Sequence, residues 1–266
     1  MVHRTMHGSI ETAGWAVTLL EVTKLELDPA PIAPAGALGD RVVLPLNLVL
    51  LQGHGRTLLV DGGFGPFTHI LPGVVEDLAA SLATVGVSRD AIDTVILSHG
   101  DFDHIGGLVA GAWPDALVLA FPGARVACPA VTADHYRGRD PDEEDNIATR
   151  ILATVRAAGL LDELPGGAEV APGVRLTLAG GHAPGHSVVE VGDYAHCVDV
   201  LHHEVHIPHP EWDSGFDQDP PAGLATRREW IERLAADGRR ASFAHLAGFG
   251  RVERDGAAHR WVPLGP

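Results

Sequence analysis

The sequence is poor in basic residues. Of its 266 residues, 19 are lysine or arginine and 35 are aspartate or glutamate, which gives a formal net charge of −16. Because nucleic-acid binding requires clustered lysine and arginine, this balance argues against a nucleic-acid partner. An acidic chain of this kind favours neutral or cationic small molecules as substrates.

Cysteines and long apolar runs are also scarce. The chain has two cysteines, Cys128 and Cys197, which lie far apart and predict no disulfide framework. No apolar run reaches the ~18–20 residues of a membrane span, and the N-terminal segment lacks the apolar core of a signal peptide. We therefore expect a cytoplasmic protein without a membrane partner. The sequence leaves its oligomeric state open.

The hydrophobic pattern predicts an α/β protein rich in strands. Apolar runs predict strands at 15–27, 42–51, 57–60, 93–97, 125–127, 174–179, 187–191, 195–201 and 241–245. Helical spacing predicts helices at 74–85, from the acidic run at 140–145 to Gly159, and at 222–236. Strand-rich halves, each followed by a helix, indicate two packed sheets flanked by helices. Because no repeat or linker interrupts them, residues 1–266 are interpreted as one domain with a motif-bearing core at about 40–255.

The most informative segment is residues 95–108, VILSHGDFDHIGGL, in which an apolar strand leads directly into a polar loop. The loop places His99, Asp101, Asp103 and His104 within six positions, and such a cluster of histidines and aspartates is typical of a metal site. On an extended segment, His99, Asp101 and Asp103 would project to one side and His104 elsewhere. This geometry suits two adjacent cations better than one. The alternative is a hydrated acidic turn beside two surface histidines.

Further ligands are expected at the ends of other strands. His182 follows the predicted strand 174–179 in a tight loop, and we predict it as a ligand, with His186 in a structural or supporting role. Asp199 stands at the mouth of an apolar strand, where a carboxylate is costly unless it meets a proton or a cation, and it could bridge two ions. Its rival, Asp193, stands at an apparent hairpin tip and is interpreted as a turn former.

Three more histidines are candidates for the same site. His245 ends an apolar run, where a lone histidine is usually a core residue, but its fit with the other six ligands favours a metal role. His202 and His203 lie just past Asp199 and could face the pocket as supporting or substrate-binding groups.

These residues, in this order, resemble the metallo-β-lactamase superfamily, whose signature is a strand ending in HxHxDH, a later histidine loop, a bridging aspartate and a last histidine. The corresponding segments are SHGDFDHIGG at 98–107, GGHAPGHS at 180–187, VDVLHH at 198–203 and AHLAGFGRV at 244–252. VDGGFGP at 60–66 resembles an early element of the superfamily, and PEWDSGFDQDP with ATRREWIERLA resembles its lactonase and organophosphate-hydrolase branch. The resemblance implies an αββα sandwich of two mixed sheets flanked by helices.

The resemblance also implies a ligand set for two divalent metal ions. One ion would be held by His99, Asp101 and His182, the other by Asp103, His104 and His245, with Asp199 bridging them. The chain departs from the superfamily at Asp101, where histidine is usual, and at Val198, where glycine is usual. A carboxylate at Asp101 shifts the preference of its site toward manganese or iron, although zinc remains the first expectation. Alternatively, Asp101 does not reach the metal and that site is weak or empty.

The activity implied is hydrolysis of a small molecule, in which a hydroxide bridging two metal ions attacks a lactone or a related ester. Asp103 would orient the attacking water or relay a proton to the leaving group. The sequence offers no Ser–His–Asp arrangement and no GxxxxGK phosphate loop to compete with this interpretation. The alternatives are phosphoester or phosphotriester hydrolysis at the same site, and a degenerate member that binds metal or ligand without catalysis.

Overall fold

The described part of the chain alternates strands with a few helices. The computed structural model describes residues 8–71, 73–113, 116–140, 146–212 and 214–265. The strands are β1 (Ser9–Thr12), β2 (Trp15–Leu27), β3 (Val42–Gly53), β4 (Arg56–Val60), β5 (Thr94–Ile96), β6 (Val109–Ala112), β7 (Ala116–Leu119), β8 (Arg125–Pro129), β9 (Leu161–Leu164), β10 (Glu169–Ala171), β11 (Val174–Leu178), β12 (Ser187–Val191), β13 (Tyr194–His196), β14 (Arg240–Ser242), β15 (Gly250–Asp255) and β16 (Ala258–Pro263). The helices are α1 (Leu78–Thr84), α2 (Phe102–Ile105), α3 (Ala130–Tyr136), α4 (Ile147–Ala157) and α5 (Pro220–Asp237).

Two sheets form the centre of the molecule. Among the described residues, the first has seven strands in the order β1-β2-β3-β4-β5-β8-β9, and the second runs from β10 to β16 in sequence order. Both sheets are mixed, because β4, β5, β8 and β9 pair in parallel in the first, and β13 pairs in parallel with β14 in the second. The remaining pairs that connect these strands are antiparallel.

The core is divided into layers by the alternation of side chains along each strand. In β4, Leu58 and Val60 pack between the two sheets, whereas Leu59 packs on the outer face. That outer face contacts α1 and α4, and the outer face of the second sheet contacts α5 through Trp230 and Leu234. Helices therefore cover both outer faces, and the predicted αββα sandwich with two mixed sheets is confirmed.

Three predicted elements differ from the structure at their ends. The predicted strand 195–201 is wrong beyond His196, because Val198 has a φ of 50° and turns the chain out of the sheet. The predicted helix 74–85 begins at Leu78, where the Asp77 carboxylate accepts a hydrogen bond from the Ala80 amide as an N-cap. The predicted strand 241–245 is a strand over 240–242 and a loop afterwards.

The sheets extend beyond the predicted motif-bearing core at 40–255. Strands β1 and β2 precede it and β16 ends after it, so residues on both sides complete the sandwich. Most of the predicted acidic helix start, residues 141–145, lies outside the described residues, and α4 follows at Ile147. The interpretation of residues 1–266 as one domain stays a prediction. None of the described helices has both the length and the apolar character needed to cross a bilayer.

Candidate metal centre

The candidate ligands follow strand ends at one edge of the sandwich. His99 comes after β5 of the first sheet, whereas His182, Asp199 and His245 come after β11, β13 and β14 of the second. β11 and β13 are each antiparallel to β12, and β14 is parallel to β13, so these three strands run in the same direction. Their carboxyl ends therefore meet at the same edge, which is why residues far apart in sequence come together.

A one-turn helix, and not an extended loop, presents two of the ligands. The predicted extended geometry is wrong for residues 102–105, which form α2 directly after Asp101. Asp103 and His104 are consecutive on this turn, and both lie close to His245. Asp101, just before the helix, lies close to His182 instead. The helix therefore divides the loop between two groups of ligands.

Six side chains surround the Asp199 carboxylate. Its Oδ2 lies 3.2 Å from His104 Nε2, 3.3 Å from His182 Nε2 and 3.7 Å from His99 Nε2. Its Oδ1 lies 3.5 Å from His245 Nε2. These side chains form two groups, and within each group the ligand atoms all lie within 4.8 Å of one another. One group is His99, Asp101 and His182, and the other is Asp103, His104 and His245. Each group offers two imidazoles and one carboxylate, and Asp199 lies between them.

Several buried polar atoms of this cluster have no hydrogen-bond partner among the described residues. They are His99 Nε2, His104 Nε2, His182 Nε2 and Asp199 Oδ1. Buried polar atoms are normally paired, because an unpaired one costs about 1–3 kcal/mol. Imidazole nitrogens and carboxylate oxygens are ligands for zinc, manganese and iron. The donor set therefore fits divalent metal ions.

The Nδ1 nitrogens of the candidate ligand histidines are hydrogen-bonded to neighbouring groups. His245 Nδ1 donates to the Pro45 carbonyl at 3.0 Å, so its neutral ring keeps the lone pair on Nε2. His99 Nδ1 lies 2.9 Å from the Ser98 hydroxyl. Such partners fix the orientation and tautomer of a metal-ligating histidine.

Asp61 supports the site but was not predicted from the sequence. The side chain is buried, and its Oδ2 lies 2.8 Å from His104 Nδ1 and accepts the Ser98 hydroxyl at 2.7 Å. Burial raises the pKa of Asp61, but His104 and His99 outweigh it and hold that pKa below the usual value. The sequence signal was the DGG turn after β4, because Asp61 has a φ of 63°, which aspartate tolerates better than most residues.

The charges of the cluster favour ionised carboxylates. Burial raises the pKa of Asp199, but His104 and His245 outweigh it and hold that pKa well below the usual range. Burial lowers the pKa of His182, but Asp101, Asp217 and Asp199 outweigh it and raise that pKa to about 10. The carboxylates thus create a local field that attracts cations.

His186 and Asp193 belong to neither group of candidate ligands. His186 Nδ1 donates to the Ala179 carbonyl at 2.8 Å, and its Nε2 accepts the Asp199 backbone amide at 3.2 Å. Asp193, the rival of Asp199, lies at an exposed turn, bonded to Arg240 and Thr12. Asp199, and not Asp193, therefore lies among the histidines.

Of the two consecutive histidines His202 and His203, only His202 lines the cavity beside the cluster. Its Nε2 lies 3.6 Å from Asp199 Oδ2 and its Nδ1 lies 3.1 Å from the Ser214 hydroxyl. Burial lowers the pKa of His202 to about 4. His203 Nδ1 instead accepts the Val205 amide, and His203 is not among the residues that line the cavity.

The cysteines offer no nucleophile near this site. Both are buried, and burial raises the pKa of Cys128 to about 12 and raises that of Cys197 as well. A thiol is nucleophilic as its thiolate, so neither residue is reactive at neutral pH.

Val198 occupies a backbone conformation that favours glycine. Its φ of 50° is rare for a β-branched residue, and the turn it makes carries Asp199 into the cluster. The Val198 carbonyl accepts the Ala244 amide at 3.0 Å, which ties this turn to the segment leading to His245. The position where the superfamily usually has glycine is therefore the one where the chain must turn.

An apolar cavity of about 340 Å³ opens beside the cluster. Its floor is formed by Asp101, Asp103, His182, Asp199, His202 and His245, and its walls by Leu25, Leu27, Leu44, Ile70, Leu71, Phe102 and Phe216. Among the described lining residues there is no lysine or arginine. The cavity therefore offers polar atoms at one end and hydrocarbon elsewhere.

Comparison with known sequences gives a family and two distant relatives. The sequence profile of the metallo-β-lactamase superfamily matches residues 41–196. Probable metallo-hydrolases of Mycobacterium bovis and Mycobacterium tuberculosis are each 26% identical over 194 residues, which is 61% of this chain and 58% of theirs. The chain thus spans less than two-thirds of the length of these relatives.

Comparison with solved structures shows the same fold at low identity. AidC, a dizinc quorum-quenching lactonase in complex with a homoserine product, has a TM-score of 0.84 at 21% identity and covers 98% of both chains. The hydrolase AbOPH has a TM-score of 0.80 at 19% identity, with 98% of both chains covered. A quorum-quenching N-acyl homoserine lactone lactonase has a TM-score of 0.67 at 22% identity, over 90% of this chain and 94% of the other. The profile match spans more than half of the chain, which confirms the predicted family: the chain belongs to the metallo-β-lactamase superfamily.

Proposed function

We propose that this protein hydrolyses a neutral lactone or a related ester with two divalent metal ions, zinc foremost. The observation that carries the proposal is the apolar cavity whose polar end is the carboxylate–imidazole cluster. A substrate bound there would meet hydrocarbon walls and no lysine or arginine among the described lining residues. Away from the metal ions, an anionic group of a substrate would therefore find no lysine or arginine to pair with, which favours an uncharged ester.

The metal ions would be held by the predicted ligands. His99, Asp101 and His182 would hold one, Asp103, His104 and His245 the other, and Asp199 would contact both. When bound, such ions supply two effects, a lowered pKa for water, from ~15.7 toward ~7, and polarisation of the substrate carbonyl.

Two residues of the chain itself would act on the substrate side. Asp103 lines the cavity, and its carboxylate can accept a proton from water and return it to the leaving alkoxide. His202 also lines the cavity, and because burial lowers its pKa to about 4, its ring is neutral at neutral pH and can donate one hydrogen bond to a substrate oxygen. The apolar walls would orient the rest of the substrate and exclude water.

A substrate panel tests this function. Purified protein loaded with zinc or manganese is assayed with N-acyl homoserine lactones of increasing chain length, simple aryl esters and aryl phosphotriesters. Because burying a methylene contributes about 0.8 kcal/mol, we expect kcat/KM for the lactones to rise roughly threefold to fourfold per added methylene until the cavity is filled.

Two other outcomes would point to the alternatives. A higher kcat/KM for phosphotriesters than for every lactone would make the protein a phosphotriester hydrolase on the same site. Full metal occupancy with no turnover of any ester would favour a member of the superfamily that binds ligands without catalysis.

The unusual ligand Asp101 gives a separate prediction. Its Oδ2 lies 3.1 Å from His182 Nε2 and 3.7 Å from His99 Nε2, so a side chain here can reach the same ion as both histidines. We expect Asp101→His to keep or raise zinc occupancy, because imidazole is a good zinc ligand. Elemental analysis after dialysis measures it, with Asp101→Ala, which removes the ligand, as the matched control. A zinc content in Asp101→His as low as in Asp101→Ala would show that the site requires the carboxylate.

A further inference from the structure

Arg227 is a charged residue inside the molecule. It lies on α5 with 1% of its surface exposed, on the same helix face as the buried Trp230 and Leu234. Its guanidinium donates to the Pro210 carbonyl at 2.9 Å and to the Trp212 carbonyl at 3.1 Å. A buried charge is tolerated only when it is paired and hydrogen-bonded, so the position of this group is strongly determined.

Asp217 connects this arginine to a candidate metal ligand. Its Oδ2 accepts Arg227 Nη2 at 2.7 Å, and its Oδ1 lies 3.3 Å from His182 Nδ1. The Asp217 side chain is 2% exposed. On the far side of the ring, His182 Nε2 faces Asp101 Oδ2 at 3.1 Å and Asp199 Oδ2 at 3.3 Å. One continuous series of contacts therefore runs from the helix to the ligand cluster.

Close packing holds the His182 loop against the start of α5. A side chain at Gly181 would come within 2.1 Å of the Gly223 amide, and one at Gly223 would come within 2.4 Å of Asp217 Oδ2. The Thr226 hydroxyl donates to the Gly180 carbonyl at 2.6 Å. Glycine at both contact positions thus permits an approach that other residues would prevent.

Other site histidines have different supports. His104 Nδ1 is held by Asp61, and His245 Nδ1 by the Pro45 carbonyl. A carboxylate on the remote nitrogen of a ligating histidine fixes its tautomer and raises its basicity, and loss of such a partner typically lowers metal affinity by ~10–100-fold. Asp217 contacts His182 and none of the other candidate ligands in the hydrogen bonds and ion pairs described for it.

We propose that Asp217, held by Arg227, is a positioning residue that sets the affinity of one metal ion, the one bound by His182, independently of the other. The inference rests on the proposed metal-dependent function. In it, Asp217 orients the imidazole and places a negative charge behind it. Arg227 keeps that carboxylate in place and ties it to the Pro210 and Trp212 carbonyls.

Metal titration of the full chain tests the proposal without relying on activity. Wild type, Asp217→Asn and Arg227→Lys are equilibrated with zinc at a series of buffered free concentrations, and bound zinc is measured by elemental analysis. We expect Asp217→Asn to weaken one of two equivalents by about 10–100-fold and to leave the other within about twofold of wild type. Arg227→Lys keeps the positive charge but loses the several hydrogen bonds of the guanidinium group, so we expect a smaller loss of zinc affinity at the same equivalent.

The matched control is Glu190→Gln. Glu190 is also a buried carboxylate bound by arginines, but its partners, Arg233, Arg239 and Thr177, are not among the candidate ligands. We expect its zinc titration to match that of wild type.

The outcomes separate this inference from the proposed function. A wild-type protein that binds no zinc or manganese would overturn the metal-dependent function itself. Two wild-type equivalents that bind unchanged in Asp217→Asn would overturn only the role of Asp217. Equal weakening of both equivalents in a folded variant would also overturn it, because the effect would not be confined to His182. If Asp217→Asn does not fold, the same criteria apply to Arg227→Lys.

Discussion

His104→Ala is expected to remove bound metal and hydrolytic activity together. His104 Nε2 is buried, lies 3.2 Å from Asp199 Oδ2 and has no hydrogen-bond partner among the described residues, and a methyl group cannot replace its lone pair. Loss of a ligand should exceed the ~10–100-fold loss of affinity typical of a supporting partner. We expect activity to fall by more than about 100-fold, because the fixed charge that stabilises the transition state is lost with the metal.

Metal content and kcat/KM, measured on the same samples, check this prediction. His209→Ala is a matched control, because the His209 side chain is 46% exposed, contacts Glu211 and is not among the candidate ligands. Hydrolysis that survives His104→Ala in metal-free protein would discard the proposed mechanism.

Metal ions are expected to stabilise the fold strongly. In their absence, the buried ligand atoms of His99, His104, His182 and Asp199 lack hydrogen-bond partners among the described residues. An ion that binds the folded chain alone at a thousand times its Kd stabilises it by about 4.1 kcal/mol. At about 2–4 °C per kcal/mol, this corresponds to a rise in Tm of roughly 8–16 °C for one equivalent.

Thermal unfolding of chelated protein, with and without added zinc or manganese, measures this rise. Calcium serves as the control, because it prefers oxygen ligands alone and should shift Tm little at a site with two imidazoles on each side. A Tm that responds to neither zinc nor manganese would contradict the proposed ligand set.

The sequence predicted the segments that carry the ligands because their signals are local. An apolar run that ends in histidine, aspartate and glycine reports a strand and the polar loop after it, whatever the rest of the chain does. This is how His99 and His182 were recognised, whereas His245 was favoured by its fit with the other six ligands. The order of the segments predicted the family and the αββα sandwich. The resemblance also assigned Asp199, which lies at the centre of the cluster although the strand predicted to carry it ends at His196.

Local sequence patterns did not predict the orientation of the ligand side chains. Whether residues 102–105 are extended or helical decides which group of ligands Asp103 and His104 join, and both conformations suit the sequence FDHI. The position of Asp199 depends on the left-handed backbone of Val198, which valine does not favour by itself. Contacts with neighbouring segments, such as the Ala244 amide on the Val198 carbonyl, hold this conformation.

The supports of the ligands were decided by the tertiary structure. Asp61 reaches His104 across 43 positions of sequence, and Asp217 reaches His182 across 35, so no periodicity or spacing connects them. Arg227 gave one signal, a charge on the buried face of α5, but its partner appears only when that helix packs on the His182 loop. The sequence alone determined which residue types meet and in which fold. Their orientation, tautomers and charge were decided by packing between distant segments, because a side chain's partners are set by what lies beside it in space.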